Sequence, residues 1–295
     1  MKRKSGIGGQ KMKRAQWKRL IVFTVCLAAV LGVAVWIAWG NTALELNTYT
    51  VLAEELPEAF DGYRITHISD LHNAQIGDNN EKLLETIRKA EPDIIAITGD
   101  LIDSRNTNIE IALHFAEEAM KIAPCYYVTG NHEARIPECD DLKSGLTDLG
   151  VVVLEDERLE IQRSGEKFAV IGVNDPSFET NYLFGDAAAV LRLKLQEYKN
   201  EDTYTVLLSH RPELLETYAQ CGVDLVLSGH AHGGQVRIPF VGGLVALNQG
   251  LFPKYDAGMF IKENTTMIVS RGIGNSVIPI RVNNRPEVIL IELSK

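Results

Sequence analysis

The chain has 295 residues, 45% of them hydrophobic and 23% charged, which excludes a disordered chain and leaves ample apolar material for a large core. The formal charge of −9 averages unlike pieces: residues 1–19 hold eight Lys/Arg and no acid, residues 20–39 hold no charge, and the rest holds 22 Lys/Arg against 39 Asp/Glu. So acidic a body excludes nucleic acid as the main partner, because phosphate backbones are held chiefly by Lys/Arg; a phosphorylated substrate needs a local cation, arginine or metal.

From Leu20 to Trp39 the chain runs LIVFTVCLAAVLGVAVWIAW, twenty residues without a charge. As a helix rising about 1.5 Å per residue it spans about 30 Å, the thickness of a bilayer's hydrocarbon core. All three tryptophans, Trp17, Trp36 and Trp39, stand at its two ends, where amphipathic rings suit the headgroup level. The run is longer than a cleavable signal's apolar stretch, and its exit, Gly40-Asn41-Thr42-Ala43, matches a cleavage site poorly. Residues 20–39 are therefore predicted to be a permanent single-pass anchor in the cell membrane. Residues 1–19 form a basic tail, and Lys2, Arg3, Lys4, Lys11, Lys13, Arg14, Lys18 and Arg19 keep it cytoplasmic by the positive-inside rule. The body is then expected to be extracytoplasmic.

Residues 40–62 read as a lead-in, in which Leu44, Leu46, Thr48, Thr50 and Leu52 alternate as in an edge strand before Pro57 and Asp61-Gly62 break it. No Pro/Gly/Ser linker divides residues 63–295, which form one domain. There the period alternates: strand 63–69, helix 79–90, strand 94–98, then a helix over 107–122 with Ile109, Ala112, Leu113, Ala116 and Met120 on one stripe. Strand 126–129 and helix 140–149 follow, and two or three strands lie between Val151 and Val173. A helix over 186–198, strand 205–209, helix 213–221 and strand 225–228 lead into a tail of short strands, 236–238, 244–246, 259–261, 267–269 and 288–293. This is an α/β domain whose sheet carries antiparallel additions. Cys125, Cys139 and Cys221 are an odd number at wide spacing, so no disulfide framework or C-x-x-C zinc site is written here.

Metal-capable side chains recur just past the ends of the strands: Asp70-Leu71-His72, Gly99-Asp100, Gly130-Asn131-His132-Glu133, His210, and Gly229-His230-Ala231-His232. In open α/β sheets the crevice beyond the carboxyl ends of the strands binds ligands, so five segments deliver side chains to one rim. Each fragment alone is more often a turn than a site. Five of the seven histidines occupy these exits, however, while His67 in a strand and His114 in a helix read as structural. Two carboxylates, an amide oxygen and four imidazoles without a thiolate suit Mn, Fe or Zn, and seven ligands are too many for one tetrahedral ion but suit two ions sharing a carboxylate.

In this order the motifs resemble those of the calcineurin-like metallophosphoesterases, over about Tyr63 to Leu293. The segments SDLHNAQIG, SHRPEL, GHAHGGQVRIPFVGG, FPKY and SRGIGNSVIPIR are similar to the branch with an N-terminal membrane anchor. The resemblance implies a four-layer fold, a β-sandwich flanked by helices. It implies that Asp70, His72 and His232 hold one metal, that Asn131, His210 and His230 hold the other, and that Asp100 bridges. It also implies that His132 binds no metal and stands over the leaving oxygen as the catalytic acid or hydrogen-bond donor. Where many relatives carry Asp beside that histidine this chain has Glu133, expected to steady the imidazole on a longer arm. Two cations sharing a water lower its pKa enough for it to attack phosphorus in line.

The expected activity is hydrolysis of phosphodiester or pyrophosphate bonds, with lipid-linked substrates among the candidates; the alternatives are a non-catalytic metal-stabilised scaffold and a monoester or protein phosphatase. Protein phosphatases of the superfamily add phosphate-gripping arginines. Arg105 stands one position out of register for that role, and for it and Arg271 the reading as plain surface arginines is preferred. Val277, Ile278 and Ile280 read as core, and the substrate-contacting residues stay unassigned.

Overall fold

The structure, a computed structural model, describes residues 7–179, 187–198, 203–275 and 280–295. Lys2, Arg3 and Lys4 of the basic tail, Asp186 of the expected helix, and Val277 and Ile278 lie outside the described residues. The N-terminal helix α1 runs from Ile7 to Thr42, and its stretch Gln16–Thr42 is long and apolar enough to cross a membrane; its most apolar 18-residue window is unburied, and Gly40 near its end is buried where it meets the body.

The strands are β1 (Glu45–Leu52), β2 (Arg64–Ile68), β3 (Ile94–Thr98), β4 (Cys125–Val128), β5 (Val152–Val153), β6 (Glu157–Arg163), β7 (Glu166–Gly172), β8 (Thr205–Leu208), β9 (Leu225–Ser228), β10 (Arg237–Ile238), β11 (Gly242–Gly243), β12 (Val245–Ala246), β13 (Gly250–Leu251), β14 (Gly258–Lys262), β15 (Thr265–Val269) and β16 (Glu287–Ser294). The helices after α1 are α2 (Glu81–Ala90), α3 (Ile109–Met120), α4 (Cys139–Asp148), α5 (Ala187–Tyr198) and α6 (Leu215–Gln220). One sheet has the order β1-β16-β2-β3-β4-β5 and the other β14-β15-β9-β8-β7-β6; β10-β11 and β12-β13 are small separate hairpins. The lead-in strand β1 pairs in parallel with the last strand, Glu45 opposite Glu287 through Leu52 opposite Ser294. The strands that carry the motifs, β2, β3 and β4 in one sheet and β8 and β9 in the other, run parallel within their sheets.

These strands are apolar on both faces because each sheet is covered twice. In β3, Ile94 and Ala96 face the other sheet while Ile95 and Ile97 face the helices; in β8, Val206 and Leu208 face inward and Leu207 outward. The inter-sheet core joins Val51, Phe60, Ile65, Phe168, Leu225 and Ile289. Helices α2, α3 and α4 cover the first sheet and α5 and α6 the second, giving four layers. The stripe on α3 is broader than its spacing suggested: Phe115 and Ala119 join Ala112 and Ala116 in the core, while Leu113 and Met120 are only half-buried. Ile280 is exposed rather than core, because its segment follows the surface near the end of α1. Cys125 and Cys139 are buried and Cys221 half-buried, all as free thiols.

Candidate metal centre

Each strand that feeds the site ends where an apolar run meets a polar residue, and the turn that follows is tight. Asp70, His72, Asp100, His230 and His232 all take positive φ, 53°, 46°, 52°, 66° and 47°. Left-handed backbone in non-glycine residues costs about 1–3 kcal/mol each and collects at functional sites, where the surroundings over-determine it. Glycines make the close approaches possible. A Cβ on Gly130 would strike the Asp100 carboxylate, and one on Gly229 would strike Ser69 and the Asp70 carboxylate.

The rim brings together side chains up to 162 positions apart. Around Asp70, His232 Nε2 lies 3.2 Å from Oδ1 and His72 Nε2 lies 3.8 Å from it, with 3.1 Å between the two imidazole nitrogens. A second group forms around Asp100, whose Oδ2 is 3.3 Å from His210 Nε2; His230 Nδ1 lies 3.2 Å from that same nitrogen. Asp100 Oδ2 is also 3.5 Å from His72 Nε2, so this carboxylate stands between the two groups. Its other oxygen accepts the His132 backbone N–H at 2.8 Å. Asn131, between Gly130 and His132 in the chain, is buried, and neither its Oδ1 nor its Nδ2 has a hydrogen-bond partner among the described residues. All seven of these side chains are buried.

The electrostatics ask for cations. Burial alone would keep the Asp70 and Asp100 carboxyls protonated, but the surrounding imidazoles hold both well below the usual carboxylate range. Burial opposes charge on His210 and His72, yet the carboxylates beside them push His210 up to about 10 and His72 upward as well. Burial holds His230 and His232 down, with Arg211 adding to the effect at His230. Divalent ions meet the same demand for positive charge, and the donor set of two carboxylates, an amide and four imidazoles suits them. The orphaned Asn131 amide, which has an oxygen to offer and no partner, fits the same purpose.

His132 stands beside this group, its ring 4.5 Å from that of His72 in an edge-on contact. Its Nδ1 accepts the Ser104 backbone N–H at 3.0 Å. A backbone amide only donates, so Nδ1 is unprotonated and the neutral ring carries its proton on Nε2. Burial pushes His132 down to about 4, which keeps it neutral near pH 7. Asp103 Oδ1 is 3.6 Å from the same Nδ1. Glu133 does not steady this imidazole. Its longer arm passes the ring and accepts the backbone N–H groups of Asp100 at 2.9 Å, Gly130 at 2.7 Å and Ile102 at 3.3 Å, tying two strand exits together. Burial and the nearby Asp100 push this carboxyl up to about 7, against the pull of those amides.

Arg105 grips Asp103, through Nε at 2.9 Å and Nη2 at 2.6 Å. Arg271 turns to Glu45 at 2.6 Å and Glu287 at 2.8 Å. His67 is a buried strand histidine bonded to Thr98 Oγ1 at 2.7 Å, and His114 lies exposed on α3. Sequence reasoning missed Arg211, Asp175 and Asn248. Arg211 is buried in a two-pronged pair with Asp175, at 2.5 and 2.8 Å, and its Nη1 lies 3.1 Å from His230 Nε2. Asn248 Nδ2 reaches the same nitrogen at 3.3 Å. Only the adjacency of Arg211 to His210 could have signalled any of this.

The calcineurin-like phosphoesterase family model matches residues 63–234. The chain is 29% identical to the uncharacterized metallophosphoesterase YkoQ of Bacillus subtilis (strain 168), over 90% of this chain and 98% of that one. It is 32% identical to an uncharacterized metallophosphoesterase of Aquifex aeolicus (strain VF5), over 85% and 92% respectively. It is 28% identical to a Bos taurus protein named transmembrane protein with metallophosphoesterase domain, over 82% of this chain and 55% of that one.

Proposed function

The chain belongs to the calcineurin-like phosphoesterases, metal-dependent hydrolases of phosphoric esters, and from that premise we propose that it is a membrane-anchored enzyme that cleaves phosphodiester or pyrophosphate bonds with two divalent ions. The carrying observation is the position of Asp100 Oδ2, 3.5 Å from His72 Nε2 and 3.3 Å from His210 Nε2, between two groups of ligands. Asp70, His72 and His232 would hold one ion, Asn131, His210 and His230 the other, and Asp100 would bridge them, with Mn, Fe or Zn suited to the donor set. When bound, the ions supply neutralisation of the phosphoryl oxygens and a water of lowered pKa.

The chain's own residues do the rest. His132 presents its Nε2–H to the leaving oxygen, a role worth about 10²–10⁴-fold, and the Ser104 amide fixes the tautomer that makes it a donor. Glu133 holds the exits of β3 and β4 at a fixed separation through its three amide bonds. Arg105, Arg211 and Arg271 are each bonded to carboxylates, which favours a diester with one negative charge over a monoester with two. Helix α1, the basic residues before it and the Bos taurus relative's name support a single-pass anchor in the cell membrane with the body outside the cytoplasm. Tethering also favours lipid-linked phosphates as substrates.

Elemental analysis of the purified full chain, coupled to hydrolysis of bis-p-nitrophenyl phosphate and p-nitrophenyl phosphate with added Mn, tests the proposal. The expected result is bound divalent metal and faster cleavage of the diester. Bound metal with no hydrolysis under Mn, Fe or Zn would overturn the enzymatic reading in favour of a scaffold.

A further inference from the structure

Where α1 meets the body, a cavity of about 160 Å³ opens, lined by Trp36, Trp39, Glu45, Arg271, Arg281 and Arg285. Two of the guanidiniums face Glu45, and Arg271 also pairs with Glu287 at 2.8 Å. Glu45 pairs with Arg271 and Arg285, each at 2.6 Å, and the Arg285 guanidinium also lies over the Trp39 ring, 4.6 Å from its centroid. Arg281 is buried without any carboxylate partner among the described residues: its donors go to the carbonyls of Arg271 and Gly274, to Asn275 Oδ1 and toward His232 Nδ1. Only the more distant carboxylates of Asp70 and Glu287 offset its charge, so an anion in the cavity would find a cation without a direct partner.

The depth of the cavity says where that anion comes from. It sits at the end of the apolar helix, beside two half-exposed tryptophans of the kind that mark the headgroup level. The surface continues from it into an apolar hairpin: Arg281 N–H donates to Asn41 Oδ1, Val282 bridges to Val236, and Asn283 donates to the Arg237 carbonyl. Beyond Arg237, Ile238 of β10 and Phe240 and Val241 of the turn to β11 lie in solvent, Phe240 completely exposed. Cations at headgroup depth next to exposed apolar side chains suit contact with an anionic bilayer.

We propose that this cavity seats the phosphate of an anionic phospholipid headgroup against Arg285, with Arg281 behind it, so that the body rests on the bilayer through Arg285 and the Phe240 turn. The inference rests on the reading of α1 as a membrane span and is independent of the hydrolytic reading. The full chain is reconstituted into phosphatidylcholine vesicles with and without phosphatidylglycerol, and quenching of tryptophan emission by the brominated form of each lipid measures their relative occupancy. Phosphatidylglycerol should be preferred roughly fivefold, the scale of one cation at a membrane surface. Arg285→Gln should abolish the preference and Arg285→Lys, which keeps the charge, should restore it. Equal quenching by the two lipids, or a preference indifferent to Arg285→Gln in protein with an unaltered Tm, would overturn the headgroup site alone. An emission change with inorganic phosphate equal to that with phosphatidylglycerol would assign the cavity to free phosphate and overturn it too. A chain that fails to float with vesicles of either composition overturns the span and the headgroup site together.

Discussion

Two of the four groups of described side chains that bring metal-capable atoms within 4.8 Å of one another differ in every other respect: His114, Glu117 and Glu118 on α3, and Asp70, His72 and His232 at the strand exits. The first is a product of helix geometry, since residues three and four apart share a face. Two of its members are exposed, and Glu118 is already bonded to Lys121 at 2.5 Å. The second is assembled from loops 160 positions apart, is fully buried, and holds its members in left-handed backbone. Proximity costs nothing on a helix surface. Desolvation and strain do cost stability, so where a fold tolerates both around convergent donors the convergence has a use.

The sharpest way to break this contrast is at Asp100. Asp100→Ala removes the carboxylate between the two groups, and hydrolysis should fall by at least about 10³-fold, the scale of losing a principal electrostatic element, with bound metal falling in elemental analysis. Retained metal and activity would reduce the buried group to the status of the α3 group. Next in size is His132→Ala, which should lower kcat by about 10²–10⁴-fold while metal content stays unchanged, since this ring serves the leaving oxygen rather than an ion. Loss of metal in that variant would place His132 among the ligands. A smaller effect is expected from Glu133→Ala, which strands three buried amides at about 1–3 kcal/mol for an unsatisfied group and so lowers Tm. An unchanged Tm there would show that the strand exits do not depend on this carboxylate. At the bottom of the scale, His114→Ala combined with Glu117→Ala should leave turnover, metal content and Tm where they are.

The legibility of the buried group follows from its construction. Ile94–Thr98, Tyr126–Thr129 and Leu225–Ser228 are apolar runs that stop at a polar residue, so strand ends and ligands are visible together, and the resemblance to a family joins them across the chain. The contacts that complete the site leave no such trace. Asp175 finds Arg211 from 36 positions away, and Ser104 finds His132 from 28, through loops without periodicity. Glu133 sits where the sequence placed it, but one extra methylene carries its carboxylate past the imidazole to the amides of Asp100, Gly130 and Ile102, a change of partner that only coordinates disclose. Helix α3 fails in a milder way. Its stripe is found, but Phe115 and Ala119 are claimed by the core because α3 packs against both the sheet and α4.

On the proposed reading Asp100 joins two cations rather than crowning one. Titrating Mn into metal-free protein and following its electron paramagnetic resonance addresses this directly. Two ions per chain with an exchange-coupled spectrum, the signature of a pair about 3.5–4 Å apart, are expected. Saturation at one ion per chain, or two ions giving the spectrum of isolated Mn, would contradict it.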